Sequence, residues 1–368
     1  MERADARDHD QFQVTAPHPQ PQPLRLKTKG RWDTALKAAR VLALIWVAKL
    51  ALTAGLYGVT RVMDIEMHTI NDSIRTALAT SAGDAFVHLR DGWTHYEIAG
   101  PESAPVVVLA AGASVPGYIW QPTFDSLKSA GYRVLRYDYF GRGWSDRPDI
   151  PLTQDVYVRQ LGGLLDSLGV REPVTLAGLS YGGTVITSFA AAYPDRVGAL
   201  VYVDPGIHTP RTIPWYIKID VIGDLMFQWQ SRGWATGQLT DFLHPERFPG
   251  WADRYRVQME YKGFRRGRRS DAVANESLDT RIALAEIGKH QRPVLVLWGK
   301  QDRTVPIARS AGLLAALPRA QFVPVDSAGH LPQWEQPAVT HGALLAFLRA
   351  NVAGANAVRA PRLHPIPR

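Results

Sequence analysis

The chain has no cysteine in 368 residues. Disulfides and thiolate-bound metals are thereby excluded, and thiol usage says nothing about redox compartment. No glycine-rich phosphate loop and no metal-ligand cluster occurs, so no cofactor and no metal is expected. A basic stripe on a recognition fold is also missing, and the formal charge of +8 therefore does not point to nucleic acid. The positive excess is local. Arg25 to Arg40 carries six basic residues against Asp33 alone, and Lys262 to Arg269 carries five against none. We read the first as juxtamembrane charge and the second as a solvated basic loop able to touch anionic lipid headgroups.

What is present is a globular composition, 46% hydrophobic and 21% charged, with room for one large domain and appendages. Residues 1–40 include Pro17-His18-Pro19-Gln20-Pro21-Gln22-Pro23, which cannot form helix and has too little apolar surface to fold alone. A disordered tail is expected there, and another over 351–368. Residues 41–60 form a nearly uninterrupted apolar run that, as a helix, is long enough for a bilayer core of about 30 Å. Its flanking charges predict a single-pass anchor with the amino terminus cytoplasmic and the folded domain outside. Lys49 near its midpoint argues against a span. A cleaved signal and a non-spanning helix, the latter allowing a soluble form, remain the alternatives.

From Phe86 the pattern changes. Phe86 to Arg90, an Asp91-Gly92 turn and Trp93 to Ile98 predict a hairpin. Short β-branched runs follow at Val106 to Ala111, Tyr132 to Asp138, Val174 to Leu179, Ala199 to Asp204, Val294 to Trp298 and Phe322 to Val325. Such runs suit parallel strands buried on both faces, and helical stretches alternate with them. The fold class predicted is α/β, with its core in two parts, 61–205 and 292–350. Residues 206–291 carry no strong strand run and are too long for a loop, so they read as an inserted helical cap.

The chemistry centres on Gly178-Leu179-Ser180-Tyr181-Gly182, a G-x-S-x-G pentapeptide between an apolar run and a small-residue helix. A serine lifted off a strand on a tight turn needs neighbours without side chains, and Gly178 and Gly182 supply the gaps. Such a nucleophile needs a base and an orienting acid. Asp302 follows one predicted strand in Gly299-Lys300-Gln301-Asp302, and His330 follows the next in Ser327-Ala328-Gly329-His330. Asp204, at the end of an earlier strand, is a rival acid that also reads as a strand terminator.

Taken together, GLSYGG, WGKQDRTVP, SAGHLPQWEQP and DYFGRGWSDRP, in this order of roles along Phe86 to Ala350, resemble the serine-type α/β-hydrolase family. The resemblance implies a mostly parallel central sheet flanked by helices. It implies Ser180 as nucleophile, His330 as base and Asp302 as the acid that holds the imidazole. It implies an oxyanion site made by the backbone N–H groups of Tyr181 and, by position, Ala113. The family's oxyanion loop usually begins His-Gly, whereas this chain has Ala110-Ala111-Gly112-Ala113-Ser114, and Ser114 could add a hydroxyl there.

The expected activity is that of a carboxylesterase or lipase on a hydrophobic small-molecule or lipid ester, with some cap aromatics able to line an acyl pocket while most of them read as the cap's own core. The alternatives are a carbon–carbon bond hydrolase or perhydrolase of the same fold, and a non-catalytic binding protein. Oligomeric state is not readable.

Overall fold

The structure is a computed structural model and describes residues 29–62, 66–79 and 84–352. Most of the expected amino-terminal tail, and residues 353–368, lie outside that range. The described chain divides into two compact units, the first ending at Gly55.

The described part of the first unit lies in helix α1, Lys29–Val62, which runs on past Gly55. It begins well before the expected Val41, because Ala35 to Arg40 is made of strong helix formers with no breaker. Leu42, Leu44, Ile45, Trp46, Val47 and Leu50 are all exposed on it. Among the described residues no helix is long and apolar enough to cross a membrane. Lys49 interrupts the apolar run of α1, a charge that is costly at the centre of a bilayer. The single-pass expectation for residues 41–60, with the orientation read from its flanks, finds no support among the described residues.

The second unit opens with α2, Asp72–Leu78, and the hairpin β1, Asp84–Leu89, and β2, Gly92–Ala99. Alternation follows: β3 Val106–Ala110, α3 Gln121–Ser129, β4 Arg133–Tyr137, α4 Gln154–Ser167, β5 Val174–Leu179, α5 Tyr181–Ala192 and β6 Val197–Val203. Six helices then come without a strand: α6 Trp215–Lys218, α7 Asp220–Ser231, α8 Trp234–Gly237, α9 Trp251–Met259, α10 Phe264–Ala274 and α11 Thr280–Ile287. The chain closes with β7 Val294–Gly299, α12 Ser310–Ala316, β8 Gln321–Val325, α13 Pro332–Glu335 and α14 Pro337–Asn351.

The strands form one eight-stranded sheet in the order β1-β2-β4-β3-β5-β6-β7-β8. Among the described residues only β1 with β2 and β2 with β4 are antiparallel pairs; across the sheet from β4 to β8 every pairing is parallel. This is the α/β architecture expected. Every residue of β5 and of β7 is buried, as strands covered by helices on both faces require. Because all the parallel strands point the same way, their carboxyl ends, and the loops that follow them, gather at one edge.

One buried charge cluster shapes the loops at that edge. Asp138, just after β4, accepts hydrogen bonds from Gly117 N–H (2.7 Å), Trp144 N–H (2.9 Å) and His95 Nδ1 (2.9 Å). His95 Nε2 also lies 3.3 Å from Asp84. Burial pulls the His95 pKa down, but the charge and hydrogen bond of Asp138, with Asp84, outweigh it and hold the imidazole up at about 9. A folded pKa above the unfolded 6.5 stabilises fully below pH 6.5 and ceases to do so as pH rises through about 9. We expect His95→Gln to lower unfolding free energy by roughly 3 kcal/mol below pH 6.5. In urea titrations the gap from wild type should narrow toward pH 9; a gap that widens with pH would contradict this account.

Candidate active site

The turn at Ser180 is built as its spacing requires. Ser180 joins β5 to α5 with φ 52° and ψ −119°, a left-handed backbone that costs a residue with a side chain about 1–3 kcal/mol. A Cβ on Gly178 would sit 2.5 Å from the Gly182 backbone, and one on Gly182 would sit 2.2 Å from the Ala110 carbonyl oxygen. The strain is held from both sides. Ser180 N–H donates to Val203 O at 3.0 Å, and its carbonyl accepts from Gly183 N–H (2.9 Å) and Gly206 N–H (2.8 Å). Among the described residues, positive φ outside glycine occurs only at Ser180, Asp204 and Ser327. All three follow parallel strands at the same edge of the sheet.

Asp302 and His330 are brought together. His330 Nδ1 lies 2.7 Å from Asp302 Oδ2, and both side chains are out of solvent. The other carboxylate oxygen of Asp302 accepts the N–H groups of Thr304 and Val305, each at 2.8 Å, so the turn after β7 fixes its plane. Burial lowers the His330 pKa, but the Asp302 hydrogen bond and charge, with Asp241, raise it overall above the ordinary histidine value. Among the described residues no hydrogen bond joins His330 to the Ser180 hydroxyl; such contacts are often long before substrate binds. The rival Asp204 makes no hydrogen bond to His330 either. Its Oδ1 accepts Gly299 N–H at 2.8 Å, and it is fully buried.

Oxygens of Asp204 and Asp302 and a nitrogen of His330 lie within 4.8 Å of one another. Since His330 Nδ1 is bonded to Asp302 and Asp204 Oδ1 to Gly299, we read the three as a hydrogen-bonded cluster and not as metal ligands.

Beside Ser180 two backbone donors are free. Neither Tyr181 N–H nor Ala113 N–H has an acceptor among the described residues, and Gly112 approaches so closely that its Cβ would be 3.7 Å from Ser180 Cβ. The arrangement can offer a nucleophile, a base with its acid, and donors for an oxyanion.

A family model described as the alpha/beta hydrolase family matches residues 107–343. The chain belongs to that family. This hydrolase is 29% identical over 286 residues to a 2-hydroxy-6-oxononadienedioate/2-hydroxy-6-oxononatrienedioate hydrolase of Paraburkholderia phymatum, covering 73% of this chain and 96% of that protein. A relative of the same name from Dechloromonas aromatica is 27% identical, with 74% and 97% covered. Among solved structures it is similar to the enol-lactonase of Burkholderia xenovorans, with a TM-score of 0.62, 24% identity, and 72% and 99% covered.

The helices between β6 and β7 are tied to the hydrolase core through buried polar groups that sequence reasoning missed. Arg142 and Arg268 both donate to the Ala113 carbonyl. Arg142 also reaches Tyr157 OH (2.8 Å) and Asp271 (3.0 Å), and Tyr181 OH lies 3.0 Å from Asp271. Glu335 accepts Gly329 N–H (2.6 Å) from the histidine loop and Leu243 and His244 N–H (2.8 and 2.9 Å) from the insert. The only signals were an arginine between two glycines and an acid shortly after His330.

Three expectations need correction. The basic run at Lys262 to Arg269 is not a solvated loop, because most of it lies in α10 and pairs internally. Arg265 meets Glu66, Arg266 meets Asp149, and Arg269 meets Asp224. Ser114 Oγ donates to Gln238 in the insert at 2.9 Å and not toward Ser180. Phe242, Phe248 and Trp251 of the insert pack on one another and on Trp334 of α13, with ring centroids 4.2–5.9 Å apart, so these three join the insert to the hydrolase core instead of standing free to line an acyl pocket.

We expect Gly182→Ala, which forces Cβ toward the Ala110 carbonyl, to lower unfolding free energy by roughly 1–3 kcal/mol, measured in urea. Wild-type stability in that variant would refute the packing account of the turn.

Proposed function

We propose that this hydrolase works through a covalent acyl intermediate on Ser180, with His330 as general base and Asp302 as its orienting acid. The observation that carries this reading is the buried 2.7 Å Asp302–His330 bond at the sheet edge that also holds the strained serine and the two unpaired N–H groups. We further propose that the substrate is an acidic vinylogous diketone cleaved at a carbon–carbon bond. The names of the similar relatives support this choice. So do the two guanidinium groups, of buried Arg142 and part-buried Arg268, that meet at the Ala113 carbonyl of the oxyanion loop, of which Arg142 alone pairs with a described carboxylate.

In this mechanism Ser180 Oγ adds to the substrate carbonyl while His330 Nε2 takes its proton. The oxyanion is received by Tyr181 and Ala113 N–H, where loss of one donor costs roughly 100- to 1,000-fold in related chemistry. When the carbon–carbon bond breaks, its electron pair stays on the leaving carbon, which takes the proton from His330. Water then attacks the acyl-serine with His330 again as base, and a carboxylic acid departs. One water is consumed: a C–C bond is replaced by one C–O and one C–H bond. The imidazole must be neutral to begin, so turnover falls as pH drops through its raised pKa.

A hydrophobic ester is the second reading, favoured by Trp215 and Trp229, which stand 70% and 66% exposed in the insert. As to location, we propose that α1 rests on a lipid surface, since its large apolar side chains from Trp32 to Leu52 are exposed and patches of this kind mark interaction sites.

A fluorophosphonate probe should label the wild type and not Ser180→Ala, and Asp302→Asn should slow labelling by about 1,000-fold or more. A folded wild type that never labels would favour a non-catalytic binding protein. Comparing kcat/KM for a 2-hydroxy-6-oxo dienedioate against p-nitrophenyl esters of increasing acyl length separates the two substrate readings. The first predicts at least a tenfold advantage for the dienedioate, and the reverse order selects the ester. Full-length protein should co-sediment with anionic vesicles while a chain lacking residues 1–60 stays in the supernatant; equal sedimentation would remove α1 from that role.

A further inference from the structure

The mechanism above leaves one buried carboxyl unused. Asp204 follows β6, is fully buried and holds a positive φ of 43°, so its conformation is imposed by its surroundings. Its N–H donates to Leu297 O at 3.0 Å and its Oδ1 accepts Gly299 N–H at 2.8 Å. Both bonds go to β7, the strand that ends just before Asp302. The remaining oxygen, Oδ2, is buried with no partner of hydrogen-bond geometry. A buried oxygen in that state is costly unless a proton or a donor meets it.

The neighbours decide which. One oxygen each of Asp204 and Asp302 lies within 4.8 Å of the other and of a His330 ring nitrogen. Asp302 Oδ1 is engaged by two N–H groups and Oδ2 by His330, which leaves Oδ2 a lone pair to accept one more donor. The other ionisable groups acting on this corner are also acidic: Glu335 acts on Asp204 and Asp241 acts on Asp302. Two buried carboxylates this close do not both ionise. Asp302 has three donors and Asp204 has one, so the proton belongs on Asp204.

We propose that Asp204 is a positioning residue, a neutral carboxyl whose Oδ2 proton is directed at Asp302 and holds that carboxylate toward His330. It rests on the reading of Ser180, His330 and Asp302 as the hydrolytic centre. Burial first, and then the Asp302 charge, push the Asp204 pKa well above the ordinary carboxyl value, with Gly299 N–H pulling the other way. The proton shared with Asp302 stabilises the Asp302 charge and moderates its pull on His330. Asp204 thereby sets where the base titrates without touching substrate.

The test is the second-order rate of fluorophosphonate labelling of Ser180 against pH, which needs no knowledge of the substrate. Asp204→Leu, which removes the donor, should label at least tenfold more slowly, with its acid midpoint moved upward. Asp204→Asn, which keeps a neutral donor, should restore most of that rate and keep the wild-type midpoint. If Asp204 were instead ionised, Asp204→Asn would delete a negative charge beside His330 and move the midpoint down by about one pH unit or more. That result overturns the proposal, as does an Asp204→Leu profile matching wild type. Should Asp204→Leu fail to fold, Asp204→Ala takes its place, and the Asp204→Asn midpoint decides the protonation state alone. Absence of labelling in the wild type would sink the underlying mechanism and not this assignment, so the two failures are distinguishable.

Discussion

The left-handed backbone at Ser180 is the constraint on which the rest of the structure depends. A serine with positive φ at the end of a buried strand persists only if its surroundings over-determine it. Gly178 and Gly182 remove the side chains that would collide there. Hydrogen bonds from β6 and the segment after it hold the Ser180 peptide in place. The same turn frees Tyr181 N–H at the first position of α5, where a helix has no internal acceptor for it. The proposed nucleophile and the proposed oxyanion donor are thus two consequences of one strained turn.

Around that turn, buried charge does the positioning. Asp138 organises the loop after β3 and the loop after β4 through backbone N–H groups, and Glu335 does the same for the histidine loop and the insert. Arg142 and Arg268 fasten Ala113 by its carbonyl. Asp138, Glu335 and Arg142 are each buried and multiply bonded, which is the condition under which burying a charge is tolerated. The insert is therefore part of the site's framework, because Arg268 and Asp271 of α10 and Leu243 of the loop before α9 all belong to it. Asp204 extends the pattern as a carboxyl that is held by keeping its proton.

The α/β alternation, the hairpin, the six later strands, and Ser180, Asp302 and His330 as candidates were all legible in the residues, since each rests on a local pattern. Periodicity of two marks a strand, and small neighbours mark a tight turn. The reading went astray where partners are distant in sequence. The basic run near Lys262 looked solvated because Glu66, Asp149 and Asp224 cannot be seen beside it in one dimension. The aromatic residues of the insert looked like a pocket because their mutual packing depends on how short helices are arranged. The apolar run after Arg40 was legible as a helix, while its expected passage through a bilayer was not upheld.

By itself the sequence determined the fold class and the three side chains at the strand ends, because the order of strands and the spacing of glycines are written in short stretches. Only the tertiary structure decided that His330 pairs with Asp302 and not with Asp204. Both aspartates end a strand of the same sheet, and their sequence surroundings allow either role. The choice comes from geometry: the turn after β7 presents Asp302 to the imidazole at 2.7 Å, while Gly299 N–H draws Asp204 onto the backbone beside it.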